Sequence, residues 1–324
     1  MTTINLKPQC STVCVVKEND MSNVIVFGAT GLLGQAVVRA NPGCVQISSK
    51  DFDATDRAAT KQWFIENTLL FTDSTVHLCT GKVCGIGAQK HRMMFEDNLM
   101  MTMNLVRELA GHQKIGYTVF YSSSVVYPAE LEHMTENDMF TGAFSGGNDG
   151  YALGKAAGQR YCQYWNRERE VVQFVSAVIP NIWGEGDNWD MQTAHVMPAV
   201  ANKMQYARMH NKELTVFGAP EIRREFLRAD DVASAVKLIL ASGVTQEVYN
   251  IGHGHDISIG EIVEGLKQRL VFNGPIEWTG SNGGPTQRLM KCEAMAALGW
   301  RPTYTYEDML DFHADHVRGT VGVS

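Results

Sequence analysis

The sequence predicts a doubly wound α/β fold: a parallel sheet covered by helices on both faces, joined to a smaller, partly interleaved α/β domain. Three observations carry this. Short β-branched runs alternate with helical patterns through the first 180 residues. A glycine-rich turn follows the first of these runs and opens the first helix. The second half is more irregular, with Gly and Pro clusters at 180–190 and 273–285. Strands separated by helices imply right-handed crossovers, which place helices on both sides of a parallel sheet.

The elements follow in order. "NVIVFG" (23–28) is a strand, and "GQAVVRAN" after the turn is a helix that Pro42 stops. "CVQIS" (44–48) is the second strand, and "DRAATKQWFIENT" (56–68) a helix with Asp56 as N-cap. "STVHLCT" (74–80) is the third strand. "FEDNLMMTMNLVRELAG" (95–111) is a helix closed by Gly111, its methionine stripe assigned to the core. "GYTVFYSS" (116–123), the helix "YALGKAAGQRYCQYWNRE" (151–168) and the strand "VVQFVSAVIP" (171–180) complete the first half. Ligands of such sheets sit at the carboxyl ends of the strands, so "GATG", "GKVCG", "SSSVV" and "PNIWG" are expected on one rim. The division expected is an extension at 1–21, a nucleotide-binding domain of 22–180 plus about 223–251, and a second domain of about 181–222 plus 252–318.

Composition excludes several classes. Lys+Arg of 28 against Asp+Glu of 35 gives a net charge of −7 with no long run of one sign, which argues against a nucleic-acid or membrane surface. The seven cysteines are scattered without a Cys-x-x-Cys pair, as expected of reduced thiols in a cytoplasmic protein, and no His/Cys cluster has metal-ligand spacing. No apolar run reaches the ~18 residues of a membrane span.

Two motifs carry chemistry. In "GATGLLG" the glycines at 28, 31 and 34 sit at the first strand–helix junction. There a turn without Cβ atoms lets a pyrophosphate approach backbone N–H groups at a helix N-terminus. Gly28, Thr30, Gly31, Leu32, Leu33 and Gly34 are therefore the expected dinucleotide cradle; a tight turn without ligand is the alternative. Ser48, Ser49 and Lys50 precede any acidic residue after the second strand. That hydroxyl-rich, cationic setting suits a 2′-phosphate, so NADP(H) is favoured over NAD(H), with Ser49 and Lys50 as contacts. In the second motif, Tyr151 and Lys155 are four apart on one helix and share a face. An ammonium beside a phenol stabilises the phenolate and makes tyrosine a usable acid. Such pairs also arise by chance; their weight comes from the order strand, serine cluster, Tyr-x-x-x-Lys helix. A hydroxyl of "SSS" (122–124) can then hydrogen-bond the carbonyl that Tyr151 protonates.

This constellation resembles the extended short-chain dehydrogenases/reductases, whose Rossmann-like fold matches the one predicted. The segments "GKVCGI", "EDNLMMTMNLV", "SSVVYP", "PNIWGEGDNW", "AHVMPAV", "FGAPEIRREFLRADDVA", "YNIGHG" and "LGWRP" are similar to the GDP-L-fucose synthase family over nearly the whole chain after Met21. The resemblance implies a reducing triad of Ser123, Tyr151 and Lys155, with Ser124 adjacent, and NADPH as hydride donor, with Asn98 among its contacts. It also implies a nucleotide-sugar site at Asn181, His195, Arg224 and Arg288, where Lys203 replaces a common arginine and Phe217 a common tryptophan. The arginine fork and the lysine point charge grip phosphate differently. The family's epimerising acid/base pair is a cysteine and a histidine. His195 keeps the histidine; Val125 stands where the cysteine belongs, and valine has no proton to exchange. Cys84, in the loop after the third strand, is read first as a small residue filling that loop, with a relocated thiol as the alternative. The 95–111 and 151–168 helices are expected to form a homodimer interface.

The expected activity is therefore NADPH-dependent reduction of the C4 carbonyl of a GDP-linked 4-keto-6-deoxy hexose or heptose, without efficient epimerisation at C3 and C5. The alternatives are the complete bifunctional epimerase-reductase and a non-catalytic dinucleotide-binding sensor.

Overall fold

The computed structural model describes residues 23–83, 90–112, 114–280 and 286–319; the 1–21 extension and Cys84 lie outside the described residues. The chain runs β1 (Asn23–Phe27), α1 (Leu32–Ala40), β2 (Val45–Ile47), α2 (Arg57–Glu66), β3 (Ser74–Leu78), α3 (His91–Gly111) and β4 (Ile115–Ser123). It continues through β5 (His133–Met134), α4 (Asp149–Arg169), β6 (Phe174–Ile179), β7 (Asn181–Trp183), α5 (Val196–Met209), β8 (Leu214–Phe217), β9 (Arg223–Arg224) and β10 (Phe226–Arg228). It ends with α6 (Ala229–Ala241), β11 (Val248–Asn250), β12 (Ile257–Ser258), α7 (Ile259–Leu270), β13 (Ile276–Thr279), β14 (Leu289–Met290), α8 (Glu293–Ala297) and α9 (Tyr306–Gly319).

Six of these strands form one parallel sheet in the order β2-β1-β3-β4-β6-β11. The order reverses at β1, so the crevice between the carboxyl ends of β1 and β3 is the switch point where such sheets bind ligands. Each face buries an apolar layer. Val26, Val119, Tyr121, Val175 and Ala177 pack with α1 and α6 on one side. Ile25, Phe27, Val76, Phe120 and Phe174 pack with α2, α3 and α4 on the other. A separate core joins α5, α7 and α9 to β8 through Met197, Met204, Leu214, Leu266 and Leu310. The remaining strands pair only two by two: β10 with β7, β12 with β9, β13 with β8 and β14 with β5. Among the described residues no helix is long and apolar enough to cross a membrane.

Three expectations shift. The Asp56 N-cap is in place, its side chain accepting from Ala58 N and Ala59 N. However, α3 starts a turn before residue 95 and takes Gly111 in as its last residue. The cap is His112, whose ring packs 4.9 Å from Phe71. The methionine stripe is core only in part: Met100 is 40 % exposed and Met101 and Met103 are half-buried, while Thr102, Asn104, Leu105 and Val106 turn inward. The strand expected from 171 begins at Phe174, because Glu170 closes α4 in the left-handed region and Asn166 Oδ1 takes the N–H groups of Gln173 and Phe174 at 3.0 and 2.9 Å.

Helices α3 and α4 approach closely because α4 carries glycine at 150, 154 and 158. A Cβ at Gly150 would lie 2.2 Å from the His91 carbonyl oxygen, and one at Gly158 would lie 2.9 Å from Thr102 Cγ2. This packing turns the opposite face of α4 to the sheet and so aims Lys155 at the ends of β3 and β4.

Candidate active site

The turn between β1 and α1 is held by close backbone contacts. Gly28 has φ +76°, and a Cβ there would lie 2.7 Å from the Cys79 carbonyl oxygen; a Cβ at Gly34 would lie 2.0 Å from the Gly28 carbonyl oxygen. Only glycine fits either position. Gly31 is the N-cap of α1 and supplies no side-chain acceptor, so the first-turn N–H groups of Leu32 and Leu33 are left for an anion at the positive end of the helix. This cradle fits a dinucleotide pyrophosphate. Thr30 is exposed beside it and accepts Gln35 Nε2 at its carbonyl, 2.8 Å; Leu33 itself is buried in the core. At the end of β2, Asp51 turns back to accept the N–H and hydroxyl of Ser48 at 2.8 and 3.1 Å, while Ser49 and Lys50 are exposed. The nearest acidic side chain is thus engaged in the turn itself.

Asn98 is buried on α3 and does not face the cradle openly. Its Nδ2 donates to the carbonyls of Lys82 (3.0 Å) and Met94 (2.8 Å), and its Oδ1 accepts Lys82 N (3.1 Å). Its part in the site is to fix the start of the loop after β3.

The three serines separate by position. Ser122 is buried within β4, whereas Ser123 and Ser124 emerge half-buried at the rim with Val125. Desolvation raises the Tyr151 pKa to about 12, opposed by the Ser123 side chain beside its hydroxyl. Lys155 is 4 % exposed, and its ammonium donates to Tyr121 O at 2.9 Å and Thr80 O at 3.2 Å, 5.0 Å above the Phe120 ring. Burial lowers its pKa to about 8. The structure therefore assembles a hydroxyl pair and a buried cation at the carboxyl ends of β3 and β4, beside the glycine cradle. Among the described residues, no group of His, Cys, Asp or Glu is arranged to hold a metal ion.

With this geometry in place, the sequence can be compared with known proteins. The profile of the NAD dependent epimerase/dehydratase family matches residues 24–252. The chain belongs to the NAD dependent epimerase/dehydratase family. It is 29 % identical over 300 residues to GDP-L-fucose synthase 1 of Arabidopsis thaliana, covering 89 % of this chain and 91 % of the relative. It is also 29 % identical over 296 residues to GDP-L-fucose synthase of Sinorhizobium fredii, covering 89 % and 93 %. Its fold matches that of a GDP-mannoheptose C4 reductase from Campylobacter jejuni with NADP bound, with a TM-score of 0.78 at 22 % identity, covering 93 % of this chain and 100 % of the other.

In this epimerase/dehydratase chain the residues expected around a nucleotide sugar come from several segments. Asn181 opens β7, and its Nδ2 donates to the Glu225 carbonyl at 3.1 Å. His195 is the N-cap of α5, and burial lowers its pKa. Lys203 lies further along α5 in a surface groove with Tyr206, Lys212 and Thr215. Phe217 ends β8 and is 71 % exposed. Arg224 is half-buried and donates to the Arg223 carbonyl at 2.7 Å. Arg288 is spent on the loop after Ser123: Nη1 donates to Pro128 O (2.9 Å) and Ala129 O (3.3 Å), and Nη2 to Ser124 O (3.0 Å). It braces the rim from below, and burial lowers its pKa to about 10.

Two bracing residues were not singled out from the sequence. Tyr127 is buried and donates its hydroxyl to Asn250 Oδ1, while Asn250 Nδ2 donates to Met134 O (3.2 Å) and Lys291 O (3.1 Å). Tyr-Pro after the serines and Asn after a strand were the available signals; that they meet across 123 residues was not among them.

Proposed function

We propose that the protein is an NADPH-dependent C4 reductase of a GDP-linked 4-keto-6-deoxy sugar, hexose or heptose, which does not epimerise C3 and C5 efficiently. The observation that carries this is Ser123 set beside the Tyr151 hydroxyl, next to buried Lys155, with Val125 at the same rim. Bound in the glycine cradle, NADPH supplies the hydride for the C4 carbonyl. Ser123 holds the carbonyl oxygen by hydrogen bonding. Tyr151 delivers its proton to that oxygen, and the Lys155 ammonium stabilises the phenolate left behind. Enclosing these groups away from water strengthens each contact. Lys50 and Ser49 receive the 2′-phosphate, Asn181, Arg224, Lys203 and Phe217 the nucleotide sugar. The names of the relatives support a GDP-linked substrate.

The test is incubation with GDP-4-keto-6-deoxymannose and NADPH in D2O, with NMR of the product. The expected product is reduced at C4 and free of deuterium at C3 and C5. An L-sugar deuterated at both carbons would establish the bifunctional epimerase-reductase instead. No turnover of any GDP-linked 4-keto sugar would leave only the dinucleotide-binding sensor.

The rate also has an expected pH dependence. Lys155 is charged below its lowered pKa of about 8 and neutral above it. Charge is needed when Tyr151 gives up its proton, so kcat/KM for reduction should fall as pH rises through about 8, approaching tenfold per unit. A profile flat to pH 9.5 would contradict this role for Lys155. The outer faces of α3 and α4, where Met93, Met100, Leu153 and Tyr164 are 42 %, 40 %, 41 % and 50 % exposed, are the surface proposed for a homodimer.

A further inference from the structure

Between β9 and β10 the chain places an acidic side chain in the interior. Glu225 is 2 % exposed and, among the described residues, has no ion-pair partner. Instead its carboxylate accepts two backbone N–H groups: Gly254 N reaches Oε1 at 3.0 Å and Met290 N reaches Oε2 at 3.2 Å. Its main-chain carbonyl accepts Asn181 Nδ2 at 3.1 Å. Gly252 makes room, since a Cβ there would stand 2.4 Å from Oε1.

The Met290 contact decides what this carboxylate does. Strand β14 pairs with β5 on one side only, Leu289 N donating to Glu132 O and Lys291 N to Met134 O, both at 2.8 Å. The Met290 N–H points the other way, where no strand follows, and Glu225 takes it in place of one. Two residues earlier, Arg288 holds the carbonyls of Ser124, Pro128 and Ala129 at the catalytic rim. One residue before Glu225 is Arg224; opposite its carbonyl is Asn181. The carboxylate thus ties β14, and with it Arg288, to the short segment that carries Arg224 and whose Glu225 main-chain carbonyl meets Asn181.

We propose that Glu225 is a positioning residue for nucleotide-sugar binding, its carboxylate setting β14, and with it Arg288, against the segment that carries Arg224. This rests on the nucleotide-sugar reading of the site. A buried acceptor of two N–H groups, one on each oxygen, acts through both, so replacing one oxygen by a donor should misplace β14 while preserving side-chain shape. Burial also raises the Glu225 pKa to about 7, so the protonated acid occurs near neutral pH. The titratable groups facing it are His253 and Asp256 after β11, Cys292 after β14, and Tyr306 on α9. Burial pushes Cys292 and Tyr306 far above neutrality and lowers His253, leaving Glu225 as the group that changes charge near pH 7.

Glu225→Gln is the test, with Glu225→Asp as the conservative variant. Gln mimics the protonated acid. The expected result is about a tenfold rise in KM for the keto sugar and in the Kd for GDP measured calorimetrically, with kcat and NADPH affinity within about threefold of wild type. Wild-type KM should rise as pH falls through about 7, and the Gln variant should lack that rise; Asp should restore part of the affinity. Wild-type KM, GDP affinity and pH profile in the Gln variant would overturn the inference, as would a loss of kcat and melting temperature at unchanged KM. Failure of the wild type itself to reduce a GDP-linked keto sugar would refute the function proposed above, a result distinct from either.

Discussion

Replacing Tyr151 by Phe is expected to lower kcat for C4 reduction by about 10²–10⁴-fold while KM for the nucleotide sugar changes less than about threefold. The substitution removes one hydroxyl and keeps the ring. What it deletes is the proton that, in the proposed reaction, ends on the C4 oxygen. In its raised-pKa state Tyr151 holds its proton throughout the neutral range, which suits an acid that must arrive protonated. In the proposed mechanism Lys155, fixed by two carbonyls, supplies the cation that stabilises the phenolate. The measurement is NADPH oxidation in steady state, paired with NADPH titration by fluorescence. Intact cofactor binding with lost turnover assigns the effect to chemistry. Unchanged turnover would remove Tyr151 from the reaction, and no turnover in either form would favour the sensor reading.

The order of strands and helices was legible because both periods are strong where the chain is regular. β1, the glycine turn and α1 declare themselves within 18 residues, and Gly34 is required by contacts inside that same stretch, whereas Gly28 is required by Cys79 just past β3. The Tyr151–Lys155 pair was legible for the same reason: four residues on one helix share a face whatever the fold around them. The choice among Ser122, Ser123 and Ser124 came instead from the resemblance, and the geometry that distinguishes them is the alternation of β4, which buries Ser122 and opens Ser123. What escaped local reasoning is what depends on distant partners. Met100 looks like core until Leu105, Val106 and Leu109 are seen to take the inward positions on α3. Nothing local to Arg288 tells that its nitrogens meet carbonyls about 160 residues away. Glu225, which follows two arginines in "RREFL", is revealed as an interior acceptor only by the N–H groups of Gly254 and Met290.

Replacing Val125 by Cys is expected to raise proton exchange at C3 and C5 above the wild-type level. C3 and C5 both adjoin the C4 carbonyl, so their protons are acidic through the enolate, and inversion needs a base on one face and an acid on the other. His195, held at a lowered pKa by burial, is neutral near pH 7 and can accept a proton. The wild type offers no exchangeable group at 125; its valine stands half-buried at the rim, two residues from Ser123. A thiol there sits partly open to solvent, as a proton-exchanging group must be. In D2O, Val125→Cys should place deuterium at C3 or C5 at least roughly tenfold above the wild-type background, while C4 reduction stays within about threefold. The volume change from valine to cysteine is small, so the 3-10 turn at Ser124–Val126 should hold. Deuterium in the wild-type product would mean that another group already performs the exchange. Normal reduction without exchange in the Cys variant would mean that the lost epimerase function lies in more than this one side chain, with the approach of His195 to the sugar the next place to look.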